Sequence, residues 1–542
     1  MYSRFFLVVF YLINLQQSYA QDLKPHQTVM IPMRDGHELP TDLYFPGENL
    51  SEYPCVLVRS PAGRTEPFVL FHVSLIKDGY VVAIQETRSA NDKEGKTFPW
   101  WTDGWGELQD GYDTVEWLAQ SPYCNGKIGT AGMSALGITQ NMLAPSAPPS
   151  LKCQHIGVAA SSVYHHGLFP GGQLLKDQVE GWLGRYAWDH GVYCCAINQP
   201  FYNDFWKRMN TVDVAENIDV PAVHYGGWYD VFLQGTIDGF VSRQEKGAEG
   251  ARGKQKLLLG PWTHYWPKVT TLGDFDVPAQ GYQPPVDLSL TTWLDIHLKG
   301  DSKKADELPA VTYYVMGPFD GTESKGNVWK TSDVWPVPHE KTPFYLTLDH
   351  KLDPKGAPHV KHALMYQCDP DDPVPTVGGR NLFLEAGAKD QREIEARKDV
   401  LVFTTEPLEE DLEITGSVIT KLFLTSSHED TDVVVRLTDV YPDGRSILIT
   451  DGIYRTGLDH CLGCVSSSEE PREIEVDLWA TSIVFAKGHR IRISITSSNY
   501  PRFEKNFNTG VVGSYSGKSE IAENTIHLGR NYPSHIELPV VH

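Results

Sequence analysis

Three side chains of this 542-residue sequence could together carry a proton to and from an attacking oxygen: Ser134, Asp230 and His264. A serine hydroxyl is a poor nucleophile until a base accepts its proton. The imidazole that does so needs a carboxylate to hold its tautomer and to stabilise the imidazolium. Ser134 stands in Gly132-Met133-Ser134-Ala135-Leu136-Gly137, directly after the strand-like residues 127–131 and before an apolar helix start. A serine between a strand and a helix, with small neighbours, has the form of a nucleophile elbow, whose sharp turn lifts Oγ clear of the sheet. The glycine usual two places after the serine comes third here, with Leu136 in its place. Downstream, Val223-His224-Tyr225-Gly226-Gly227-Trp228-Tyr229-Asp230 and Leu258-Leu259-Gly260-Pro261-Trp262-Thr263-His264 each carry their titratable residue just past a strand-like run. The chemistry these three could share is acyl transfer through a covalent intermediate.

Such a constellation requires strands that end side by side. Residues 28–46 read as a hairpin around Met33-Arg34-Asp35-Gly36, and residues 54–58 and 80–84 are short β-branched runs. Residues 110–119 have apolar positions at helical spacing, followed by turn signals and the run 127–131. Strands alternating with helices argue for βαβ succession and a mainly parallel sheet, and the order Ser, Asp, His at successive strand ends is that of α/β-hydrolases. Residues 161–213 lack short β-branched runs and carry helical patterns, which predicts a helical cap inserted between residues 21–160 and 214–335 of the sheet domain. Beyond Trp335-Pro336-Val337-Pro338, period-two runs such as Ile491, Ile493 and Ile495 predict a β-sandwich over residues 336–542.

The chain carries 47 Lys and Arg against 69 Asp and Glu, a net charge of −22 that repels phosphate backbones and argues against nucleic acid as a partner. At the N-terminus Arg4, the apolar residues 5–15 and Ser18-Tyr19-Ala20 have the form of a signal peptide over residues 1–20, too short to span a bilayer. The expectation is a secreted or periplasmic mature chain starting near Gln21, with no membrane attachment after cleavage; a homo-oligomer is compatible with the sequence. The eight cysteines permit disulfides in such a compartment, Cys461 and Cys464 being the closely spaced candidates. That pair lacks a second pair or a histidine at zinc spacing, and no His-Glu-x-x-His occurs, so neither a metal nor an organic cofactor is expected. The string from Gly513 to Ser519 is one residue short of a phosphate loop, and Asp369, Asp371 and Asp372 read as a solvated connection.

Several strings resemble the cocaine-esterase-like (CocE/NonD) hydrolases, relatives of X-prolyl dipeptidyl aminopeptidases, α-amino-acid ester hydrolases and glutaryl-cephalosporin acylases. They include Ile31-Pro32-Met33-Arg34-Asp35-Gly36, Asp110-Gly111-Tyr112-Asp113-Thr114-Val115-Glu116-Trp117, residues 132–140, Gly227-Trp228-Tyr229-Asp230-Val231-Phe232 and Gly260-Pro261-Trp262-Thr263-His264. Asp390-Gln391-Arg392, Tyr441-Pro442-Asp443-Gly444-Arg445 and Ser497-Ser498-Asn499-Tyr500-Pro501-Arg502-Phe503 extend the resemblance over nearly all of the mature chain. It implies an α/β class fold: an α/β-hydrolase domain with a helical cap insertion, followed by an all-β jelly-roll domain that walls one side of the site. It also implies that Ser134 is acylated, that His264 is general base and then acid, and that Asp230 orients it.

The sequence departs from the family in the loop that usually carries a tyrosine as second oxyanion donor. That loop reads Arg59-Ser60-Pro61-Ala62-Gly63-Arg64. With the Ala135 N–H as first donor, the expected second is the backbone of Ala62 or Gly63, and the alternatives are Tyr164, His165 or His166 from the cap. Arg88-Ser89-Ala90-Asn91 replaces a glycine-bearing Arg-Gly-Arg loop. Val231-Phe232-Leu233-Gln234 contains no acid to hold a substrate ammonium, which argues against α-amino-acid ester specificity, and Phe232, Trp228 and His165 are expected to line the substrate pocket. The expected function is hydrolysis of an ester or amide of a small acyl group. X-prolyl dipeptidyl-peptidase activity is the alternative, and a non-catalytic glycan- or peptide-binding protein is the rival from another class.

Overall fold

The computed structural model describes residues 24–91, 98–185, 190–265, 270–318, 320–457, 470–510 and 517–542. The β-branched and apolar runs become the strands of a ten-stranded sheet: β1 (Gln27–Pro32), β2 (Glu38–Tyr44), β3 (Cys55–Ser60), β4 (Val81–Glu86), β5 (Ile128–Met133), β6 (Leu151–Gly157), β7 (Ala222–Tyr229), β8 (Lys256–Thr263), β9 (Val311–Val315) and β10 (Val328–Ser332). Their spatial order is β1-β2-β4-β3-β5-β6-β7-β8-β9-β10. Pairing is parallel from β4 through β3 to β9 and antiparallel at the two edges. Every residue of β3 and β8 is buried, as a parallel strand covered on both faces requires. Helices α1 (Asp110–Gln120), α2 (Ala135–Leu143) and α4 (Leu233–Lys246) pack on the sheet, and α2 is buried along its whole length.

Between β6 and β7 the chain makes a π-helical turn at Val163–Leu168, helix α3 (Lys176–Arg185) and two further short helices, His190–Ile197 and Asp204–Lys207. Its apolar residues, Tyr164, Phe169, Val179 and Trp206 among them, form one cluster with Ala135 and Phe232 from the sheet domain.

The C-terminal part is all-β, an antiparallel sandwich of a seven-stranded and a four-stranded sheet. The larger sheet is built around β11 (Leu412–Ser426), paired with β14 (Arg472–Phe485). The smaller contains β12 (Asp432–Val440), β13 (Ser446–Arg455) and β15 (Arg490–Thr496). Ile491, Ile493 and Ile495 alternate into the core between the sheets. Strand β12 departs from alternation because it is buried on both faces: Val433 and Val435 point into the sandwich, and Val434 joins the cluster under the cap. One core therefore runs from the sandwich through Trp228 and Tyr314 into the sheet domain, stitched by the Tyr229 hydroxyl donating to the Leu448 carbonyl at 2.7 Å.

The expected leader and the pair Cys461 and Cys464 lie outside the described residues. Cys55, Cys124, Cys153, Cys194, Cys195 and Cys368 are free thiols. Among the described residues, no helix is long and apolar enough to cross a membrane.

Candidate active site

Ser134 sits between β5 and α2 with φ 57° and ψ −127°, a backbone conformation that costs energy in any residue with a Cβ. The surroundings hold it there. Its N–H donates to the Gly157 carbonyl of β6 at 2.9 Å, and its carbonyl accepts from Gly137 and Ile138 N–H at 2.8 and 2.9 Å. Gly132 has φ 144°, and a Cβ on it would lie 2.5 Å from Leu136 Cβ. A Cβ on Gly137 would lie 2.6 Å from Ala159 Cβ and 2.9 Å from the Gly157 carbonyl. The displaced glycine of the elbow is thus the one that lets α2 pack against the end of β6, while Leu136 buries its side chain in the core beside Ala131.

The ends of β7 and β8 bring the partners in. His264 Nε2 lies 2.9 Å from Ser134 Oγ, and its Nδ1 lies 3.0 Å from Asp230 Oδ2. Asp230 is wholly buried, and its other oxygen accepts the Phe232 N–H at 2.5 Å. With the proton on Nδ1, His264 donates to this carboxylate beside the Phe232 N–H, and Nε2 presents its lone pair to the serine hydroxyl. The imidazole is wedged between two aromatic edges, Phe232 at 5.6 Å and Tyr265 at 5.8 Å between ring centres.

The expected oxyanion donors separate. Ala135 opens α2, where the first N–H groups have no intrahelical acceptor. The N–H of Ala62 instead turns back onto Ser60 Oγ at 3.2 Å, a correction to its expected role, because a donor spent on its own turn cannot also face a substrate. The next residue, Gly63, has φ 93°, and its N–H has no acceptor among the described residues. The cap alternatives are engaged elsewhere: the Tyr164 hydroxyl donates to the Pro200 carbonyl at 2.7 Å, and His166 bonds Asp238 at 2.9 Å.

Of the expected pocket residues, only Phe232 lies against the constellation. His165 packs at a tilt against Tyr202, 4.5 Å between ring centres, and lines a separate cavity of about 510 Å³, which has neither Ser134 nor His264 in its walls. Trp228 is buried, donates its indole N–H to the Tyr314 carbonyl at 2.7 Å and packs near Trp335, so it belongs to the core that the sheet domain shares with the sandwich and not to the site. A residue that the sequence analysis does not single out, Trp100, is buried next to the serine's turn, in one cluster with Ala135 and Phe232. It has φ 66°, donates its indole N–H to the Ala135 carbonyl at 3.2 Å and stacks on Trp182 of α3 at 4.7 Å. The aromatic run Phe98-Pro99-Trp100-Trp101 was the available signal.

The altered loop at Arg88 has a structural role. Its guanidinium bridges Asp110 at 2.8 Å and Asp35 at 2.7 Å, tying α1 to the first hairpin, and holds the Asp35 carboxyl down at about 2.

The family of X-Pro dipeptidyl-peptidases (S15) matches residues 35–191 and 185–266, and the X-Pro dipeptidyl-peptidase C-terminal non-catalytic domain matches residues 303–537. A cocaine esterase of Rhodococcus sp. (strain MB1 Bresler) is 31% identical over 95% of this chain and 98% of its own. Among solved structures, an aminopeptidase from a marine sediment Thaumarchaeota archaeon has the same fold with a TM-score of 0.79 at 23% identity, covering 95% of this chain and 96% of its own. An α-amino-acid ester hydrolase gives 0.77 at 23% identity with the same coverage. A CocE/NonD family hydrolase of Staphylococcus aureus gives 0.71 at 19% identity, covering 96% and 93%. With a relative this similar over almost its entire length, and with both domains matched, the chain belongs to the CocE/NonD family of serine hydrolases.

Proposed function

We propose that this serine hydrolase cleaves an ester or amide of a small acyl group through an acyl-enzyme on Ser134, outside the cytoplasm. The carrying observation is the unbroken relay from Ser134 Oγ through both nitrogens of His264 to buried Asp230, at 2.9 and 3.0 Å. His264 Nε2 takes the hydroxyl proton as Oγ bonds the acyl carbon, and Asp230 stabilises the imidazolium. The tetrahedral oxyanion accepts from the N–H of Ala135 and of Gly63. His264 then protonates the leaving alcohol or amine, and a water activated by the same nitrogen releases the acid.

Substrate class rests on the wall beside the serine. Trp100, Trp182 and Phe232 suit an apolar acyl or leaving group, and Val231 and Leu233 beside the relay are buried and apolar, with no carboxylate to hold an ammonium. That favours esters over X-prolyl peptides, in keeping with the relative named an esterase, although the matched family includes dipeptidyl-peptidases. Stoichiometric labelling by a fluorophosphonate, abolished in Ser134→Ala, is the expected result; undiminished labelling of that variant, or none of the wild type, removes the assignment and leaves the binding-protein reading. Turnover of p-nitrophenyl esters beside X-Pro-nitroanilides decides the substrate class. Export is checked by the N-terminal residue of the protein recovered from its producing cells, expected near Gln21.

A further inference from the structure

The sheet has a second built cavity at the end opposite the relay. Leu151 opens β6, Pro221 immediately precedes β7 and Lys256 opens β8, and all three line a cavity of about 600 Å³. Because His264 follows the last residue of β8, eight residues at ~3.3 Å each put this cavity about 25 Å from the relay.

Its charge runs against that of the molecule. Lys152, Lys254, Lys256 and Lys303 line it against Asp219 and Asp306, a surplus of two positive charges on a chain of net −22. Of the two carboxylates, Asp219 is occupied by the Gly250 N–H at 2.5 Å. None of the four lysines has a salt bridge among the described residues. Lys256 is the least ordinary of them: only 4% exposed, its ammonium donates to the Leu308 carbonyl at 2.6 Å and has no other hydrogen bond. Burial lowers its pKa, and that of His297 falls to about 4 for the same reason. The Nε2 of His297, also in this wall, is buried without a hydrogen-bond partner. Asp306 acts electrostatically on both groups, and Asp333 on Lys256, but no salt bridge joins them among the described residues, so the desolvated ammonium and the unpartnered imidazole nitrogen leave hydrogen-bonding capacity that an acceptor-rich anion would satisfy. Pro148, Pro149, Leu151 and Val220 give the cavity an apolar side, with Ser302 a further polar group in its wall.

We infer that this cavity binds a small organic dianion, its charged head against Lys256 and His297 and its apolar body against the prolines. The size suits a small-molecule ligand rather than a chain, and at the buried floor, where Lys256 is only 4% exposed, a charge-assisted bond is stronger than on the open rim.

Calorimetric titration of the full chain at low salt with phenyl phosphate tests this, beside inorganic phosphate as the head alone and phenol as the body alone. Phenyl phosphate is expected to bind more tightly than either, and to weaken about tenfold or more in Lys256→Met. That substitution replaces a buried ammonium by an apolar chain of similar volume, so folding is not at risk. Lys254→Gln/Lys303→Gln, on the exposed rim, is expected to weaken binding and flatten its salt dependence. Turnover of a p-nitrophenyl ester stays at the wild-type rate in both variants. No heat from phenyl phosphate at millimolar concentration, or wild-type affinity in either variant, overturns the inference.

Discussion

The loops after β5 and β3 leave the same end of the sheet from adjacent parallel strands, yet they tolerate change very differently. After β5, Gly132 and Gly137 leave no space for a methyl group, and Ser134 is held at positive φ by bonds from both its N–H and its carbonyl. After β3, the space around Gly63 is open, with only Glu86 Oε1 at 3.9 Å from an added Cβ. By the resemblance drawn from the sequence, Ala62 stands there in place of a tyrosine. On the proposed assignment the constraint after β5 has a use, since a nucleophile must be held along one line of attack. An oxyanion donor needs only an N–H or O–H that points to one place, and backbone can replace a side chain.

The largest effect that would sharpen this contrast is at Ser134 itself. Ser134→Ala is expected to lower kcat on an activated ester by about 10⁴-fold or more, with the fold intact by circular dichroism; a loss of less than tenfold would move the nucleophile elsewhere. At the other loop, Gly63→Ala strains a residue at φ 93° and displaces its N–H, for an expected loss of about 10²-fold in kcat with KM little changed. An unaltered kcat there would mean that the second donor is not this N–H. Gly137→Ala should cost about 1–3 kcal/mol in urea denaturation, because the added methyl meets Ala159 and the Gly157 carbonyl. Equal stability would show that the β5 loop yields as easily as its neighbour. The smallest effect is at Trp228→Phe, which loses the bond to the Tyr314 carbonyl and should cost about 1 kcal/mol with no change in kcat. A fall in kcat greater than the loss of stability explains would return Trp228 to the site.

Legibility in the sequence followed how local each signal was. Ser134 could be read from its strand, its small neighbours and the helix behind it, all within about ten residues. Asp230 and His264 could be read because parallel strands place their following loops together. The two domain classes followed from the change of hydrophobic period near residue 335. Trp228 belongs to the same string as Asp230, yet at a register shift in β7 both it and Tyr229 pack into the core shared with the sandwich. His165 was read from its place in the cap, but the π-helical turn at Val163–Leu168 directs it to another cavity. Trp100 could not be picked out, because its position depends on α3, some eighty residues away.

What the sequence determined by itself is the order of chemistry: a serine in an elbow, then a carboxylate and an imidazole at later strand ends, in a sheet domain joined to a β-sandwich. Short-range sterics and hydrophobic period are enough for that. The tertiary structure decided which N–H groups remain free, which aromatic rings pack beside the relay and which serve the core. Those outcomes depend on contacts between residues far apart in the chain, and a buried donor or ring takes its role from whatever partner packing brings within reach.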